Sequence, residues 1–206
     1  MNTAKPEDYS TEKSDIENLV NELLDKKIEE RFRRLETKFE EISQSLQSDR
    51  QSDRLTMVAF SGDMDKLMAA FIIATGAAAM GMEVSMFFTY WGLTALRKTT
   101  IYKNKAIPEK MIASMLPSGP DKVATSKMNF FGIGPTFFKH LMKQKNVQSL
   151  PELISLAAEM EVKMIACQMS MEIMGIKKNE LIDNLSFGGV ATYIGDAADS
   201  KITLFI

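Results

Sequence analysis

The chain has 206 residues, 25 basic against 27 acidic side chains, and 45% hydrophobic and 25% charged residues. That composition belongs to a globular protein with one α/β domain of ordinary size and an appendage, and it excludes wholesale disorder. A formal charge of -2 leaves no basic surplus for a phosphate backbone, so no nucleic-acid partner is expected. One cysteine, Cys167, and one histidine, His140, supply neither an intrachain disulfide nor the ligand set of a zinc site.

Residues 1–14 form a polar tail without the apolar core of a signal peptide, from which a cytoplasmic location is expected. Residues 15–50 read as a coiled-coil helix. No Gly or Pro lies between Ser14 and Arg50, and Ile28, Phe32, Leu35, Phe39, Ile42 and Leu46 alternate spacings of four and three, an a/d heptad seam. Upstream, Ile16, Val20, Leu23 and Leu24 continue the stripe but slip out of register near Asp25 to Lys27, a stutter. So narrow a stripe between charged faces needs a second helix, and self-association into a homo-oligomer is the simplest source; packing onto the chain's own domain is the alternative. Gln47 to Arg54 repeats Gln-Ser-Asp-Arg, and 51–54 read as a linker.

From 55 to 206 short apolar runs alternate with helical ones, the pattern of an α/β domain with a mainly parallel sheet. Strands are expected over 55–60, 83–89, 162–167 and 201–206. Helices are expected over 64–81 and 150–160 and from Phe187 to Ala198, with Pro151 suited to a first turn; Leu93 to Lys98 reads as a short helical stretch, Met169 to Met174 as an apolar run, and a helix start is expected near Lys177. The apolar stretch from Leu67 to Met82 is too short to span a membrane and reads as a buried helix. Residues 99–146 are the least legible, with apolar residues for two helices around a Gly-rich loop.

Ligands of open parallel sheets bind beyond the carboxyl ends of the strands. Three loops fall there: Ser61-Gly62-Asp63, Tyr90-Trp91-Gly92 and Cys167-Gln168-Met169-Ser170. The last holds the sole thiol just before a helix start, where a helix N-terminus favours a thiolate. The plainer alternative is a small buried apolar residue.

The segments Ser61-Gly-Asp-Met-Asp-Lys66, Phe87-Phe-Thr-Tyr-Trp-Gly-Leu93, Asn129-Phe-Phe-Gly-Ile-Gly134 and Ala166-Cys-Gln-Met-Ser-Met-Glu-Ile-Met-Gly175 together resemble the DsrE/DsrF-like family of sulfur-transfer proteins, within it the soluble branch labelled "peroxiredoxin family". The resemblance runs from Leu55 to Ile206. It implies a flavodoxin-like three-layer domain whose strand-end cysteine, here Cys167, carries a persulfide and exchanges sulfur with a TusA-like or rhodanese-like partner. The long heptad helix is foreign to the usual family domain. The pocket over the thiol is expected to draw on Gly62, Asp63, Trp91, Gly92, Phe130, Phe131, Gly132, Gly134, Met169 and Ser170.

Other motifs carry less. Gly132-Ile-Gly134 is a lone G-x-G and the first strand lacks a phosphate-binding glycine fingerprint, so no cofactor is expected. His140 reads as an exposed helical residue, Asp63 and Asp65 as helix-capping rather than acid/base groups, and the 16 methionines as core packing rather than copper ligands. The reading is a sulfur carrier or sulfurtransferase-like protein. A non-catalytic oligomeric binding module of the same fold is the rival, and a flavin- or nicotinamide-dependent oxidoreductase a third possibility.

Overall fold

The structure, a computed structural model, describes residues 9–50, 53–127 and 133–206, with side chains of the first helix described over 17–45. The chain divides into two compact units, Met1–Gln51 and Ser52–Ile206. In the first, helix α1 runs over Tyr9–Arg50. Uninterrupted by Gly or Pro, it leaves Leu19, Leu23, Ile28, Phe32, Leu35, Phe39 and Ile42 exposed along its length.

The second unit interleaves strands β1 (Arg54–Ala59), β2 (Glu83–Phe88), β3 (Lys163–Cys167), β4 (Ser186–Gly188) and β5 (Ile202–Phe205) with helices α2 (Met64–Ala79), α3 (Ile107–Met115), α4 (Ile133–Gln144), α5 (Leu150–Glu159), α6 (Gln168–Met174) and α7 (Val190–Ala198). Among the described residues the sheet has five strands in the order β4-β3-β2-β1-β5, all parallel. This is the expected three-layer α/β architecture. The chain steps outward from β1 through β2 and β3 to β4, then returns through α7 to the far side of β1; flavodoxin itself follows 2-1-3-4-5. The reversal therefore lies between β1 and β5.

Period-two alternation divides the strands between two faces. Leu55, Met57, Ala59, Val84, Met86, Phe88, Met164 and Ala166 join the main core with Ala70, Phe71, Ala74 and Ala77 of α2 and Leu153 and Ala157 of α5. Alanines at the contact allow α2 to lie close to the sheet. The opposite face holds a smaller cluster of Phe87, Ile165 and Cys167, against which Tyr193 of α7 packs. At its other end α7 is held by charge: Asp196 accepts from Ser85 Oγ at 2.8 Å and Lys163 Nζ at 2.9 Å.

Two elements depart from the sequence reading. Phe187 belongs to β4, and the last helix begins only at Val190. A three-residue strand is too short to display alternation, while the Gly188-Gly189 step separates it from the helix. β1 begins at Arg54, whose guanidinium meets Glu83 at the start of β2 at 2.6 Å.

Candidate functional site

The carboxyl ends of β1, β2 and β3 deliver the three loops marked by the sequence. After β1, Ser61 Oγ donates to Asp63 Oδ2 at 3.0 Å, and the same carboxylate pairs with Lys66 Nζ at 2.9 Å. Asp63 occupies the N-cap position of α2, but its side chain makes no capping hydrogen bond. After β2 the chain enters a 3₁₀ turn, Tyr90–Leu96, through Tyr90 at φ +45°, a left-handed conformation uncommon outside glycine. Gly92 N donates to Phe60 O at 2.9 Å. A Cβ there would lie 2.0 Å from Ala59 O, so only glycine permits this crossing of the two loops. At Gly62 a Cβ would come within 2.9 Å of Trp91 O.

These loops bound a cleft of about 420 Å³ lined by Gly62, Asp63, Lys66, Trp91, Thr94 and Met115 among others. Trp91 is half exposed, its ring free to form a wall, while its carbonyl accepts from Thr94 Oγ1 at 2.7 Å. Gly134, buried in the first turn of α4, lines a second cavity of about 280 Å³ with Asp65, Ser126, Phe137 and Phe138. Asp65 accepts from both the amide and hydroxyl of Ser126, at 2.8 and 2.6 Å. Burial opposes ionisation of Asp65, but these hydrogen bonds prevail and hold its carboxyl below the usual range. Phe130, Phe131 and Gly132 lie outside the described residues.

Cys167 ends β3 and immediately precedes α6. Its thiol is free and only 4% exposed, packed with Phe87 and Ile165 on the α7 face of the sheet. It lines neither cavity above. One residue beyond the next, Met169 is 52% exposed, whereas Ser170 is buried and shares a 2.8 Å hydrogen bond with Thr89 Oγ1. That hydroxyl pair ties the loop leaving β2 to the helix after Cys167. The structure thus brings Gly62, Asp63, Trp91 and Gly92 together and sets Met169 and Ser170 beside Cys167 in the chain. His140 lies exposed on α4, within 3.1 Å of Gln144 Nε2.

One buried cluster has no signature in the sequence. Glu180, fully buried, lies 2.5 Å from Lys105 Nζ and 3.5 Å from Arg97 Nη2, both also buried. Arg97 further donates to Pro117 O and Thr100 Oγ1, and Ile101 N donates to Glu180. Burial pushes the Arg97 guanidinium down, against the attraction of Glu180. The network stitches the loop after β2 to the turn after α6. Nothing in the spacing of 97, 105 and 180 announces it, since charged residues in loops ordinarily face water.

With this geometry, comparison with known proteins is decisive over most of the chain: the model of the DsrE/DsrF/DrsH-like family matches residues 51–205. The chain belongs to that family. It is 49% identical over 157 residues to the uncharacterized protein YrkE of Bacillus subtilis (strain 168), covering 76% of this chain and 98% of YrkE. It is 36% identical over 162 residues to the sulfur carrier protein DsrE2 of Allochromatium vinosum, covering 74% of this chain and 98% of that protein. Among solved structures, the ychN protein from E. coli aligns over 74% of this chain and 98% of its own, with a TM-score of 0.43 and 11% identity. Helix α1 lies outside the residues that the family model matches.

Proposed function

We propose that this DsrE/DsrF/DrsH-like protein is a sulfur carrier that holds a sulfane sulfur on Cys167. The observation that carries the reading is the position of the chain's sole thiol at the carboxyl end of β3, directly before α6, in a chain 36% identical to a named sulfur carrier. In the transfer, the Cys167 thiol loses its proton and the sulfur attacks the terminal sulfur of a donor persulfide, R–S–SH. The donor S–S bond breaks, the donor leaves as a thiolate and takes up the proton, and Cys167 becomes Cys–S–SH. The sum is R–SSH plus Cys–SH giving R–SH plus Cys–SSH, with no external oxidant or reductant. Delivery is the same exchange with an acceptor thiol as nucleophile. TusA-like or rhodanese-like proteins are the proposed partners, and the cytoplasm the proposed location.

Apolar shielding by Phe87, Ile165 and Tyr193 suits a persulfide, which stray thiols would otherwise strip. The cleft of Gly62, Asp63 and Trp91 and the exposed Met169 are proposed as the surface a partner meets, separate from the apolar cover of Cys167. The same burial favours the rival reading, a structural cysteine in a binding module. Intact-mass analysis separates the two. Incubation with thiosulfate and a rhodanese, or with a persulfidated partner, is expected to add one or more sulfur atoms that a reductant removes, and Cys167→Ser is expected to take up none while remaining folded. Failure to load from every donor, with the native thiol also closed to alkylation, would leave the binding module.

A further inference from the structure

We propose that α1 pairs with α1 of a second copy of this chain, parallel and in register. The exposed residues Ile28, Phe32, Leu35, Phe39 and Ile42 are 47–73% exposed, in a helix whose opposite faces carry Glu, Lys and Arg. Their spacings place Phe32 and Phe39 at heptad a positions and Ile28, Leu35 and Ile42 at d. That assignment fixes the flanks. Positions e are Glu29, Glu36 and Ser43; positions g are Arg31, Lys38 and Ser45. Every charged e position is acidic and every charged g position basic.

The two flanks decide the orientation. Helices that run parallel place g of one chain beside e of the next heptad on its partner, so Arg31 meets Glu36 of the other copy, and the reciprocal pair forms by symmetry. An antiparallel pair sets e against e and g against g, opposing carboxylates to carboxylates and cations to cations. Registers shifted by a heptad leave an apolar layer without its counterpart, whereas the in-register arrangement covers all five. An unrelated partner helix would need no such segregation of sign; a second copy of the same sequence, running the same way, uses it twice. The chains then leave the bundle at one end, at Arg50. This inference rests on α1 alone and does not depend on the role of Cys167.

The test is made on the full-length chain. In Cys167→Ser protein, Ile28→Cys and Ile42→Cys are introduced separately, mixed, and oxidised in a glutathione buffer, and the cross-linked peptides are identified by mass. Expected products join 28 to 28 and 42 to 42. Dominant 28-to-42 peptides would establish the antiparallel pair and overturn the proposal, and absence of interchain cross-links would do so equally. An independent measurement alters only exposed flanking charges and leaves the helix intact. Glu36→Lys and Arg31→Glu each place like charges opposite one another and are expected to weaken self-association roughly two- to five-fold per pair. Mixing the two variants restores both attractions, so heteromers should exceed homomers. Statistical mixing would contradict the parallel arrangement.

Discussion

Gly92 shows how strictly a single position can be determined. Its Cα passes so close to Ala59 O that no Cβ fits, and its amide bonds to Phe60 O across the β1 and β2 loop ends. Gly92→Ala is expected to lower unfolding free energy by about 1–3 kcal/mol through forced displacement of one loop, measured by urea denaturation. Glu180 is determined by charge instead. Removing its negative charge while keeping its shape, as Glu180→Gln does, leaves Arg97 and Lys105 as two buried cations facing no anion. A loss of about 3–5 kcal/mol is expected by the same measurement. A loss below 1 kcal/mol would mean that water reaches the cluster.

At the scale of elements, α7 is the lid of the Cys167 side of the sheet. None of its residues is fully buried, so its attachment depends on the Phe87–Tyr193 ring contact, with centroids 5.7 Å apart, and on the Asp196 network. Tyr193→Ala should therefore speed alkylation of Cys167 about tenfold, corresponding to a fall of roughly 1.4 kcal/mol in local opening free energy. An unchanged rate would place the route to the thiol elsewhere. For Asp196, burial resists ionisation, yet the hydrogen bonds from Lys163 and Ser85 and the charges of Lys163 and Arg54 hold its carboxyl below the usual range. A depressed folded-state value adds stability that is present above the unfolded carboxyl pKa of about 3.9 and is lost as pH falls through the folded value. Asp196→Asn should thus be destabilised relative to the parent at pH 6, and the difference between them should shrink below about pH 4. Asp65 in the parent titrates in the same sense, but both proteins share it.

For the whole molecule, the question is what the family domain gains from a helix of 42 residues that the family model does not match. A seam of exposed Phe, Leu and Ile is unfavourable in water at about 25 cal/mol per Å² of apolar surface left uncovered. Self-pairing removes that exposure in every chain at once. Phe32→Glu with Phe39→Glu in the full-length chain is expected to lower the molar mass in light scattering while leaving the far-ultraviolet signature of the α/β unit intact. An unchanged mass would show that the α/β unit alone sustains the assembly. In the proposed pair, two copies of Cys167 would be held in one particle, which raises their local concentration for a partner that dwells on one of them.

Local periodicity sufficed for much of this. The heptad spacing from Ile28 to Ile42, the apolar runs of β1, β2, β3 and β5, and the Ala-rich α2 are short-range patterns that a linear reading detects directly. The placement of Cys167 at a strand end followed from the same pattern. What sequence could not reveal depended on contacts between distant segments. β4 is three residues long and exists because Ala166 and Cys167 offer it an edge to pair with. The face on which the thiol lies was settled by strand register against β2, which set Cys167 beside Phe87 and under Tyr193, away from the Gly62 and Trp91 cleft. The Arg97, Lys105 and Glu180 cluster arises only when two loops meet in the interior, where a low dielectric makes charges choose partners that no spacing along the chain encodes.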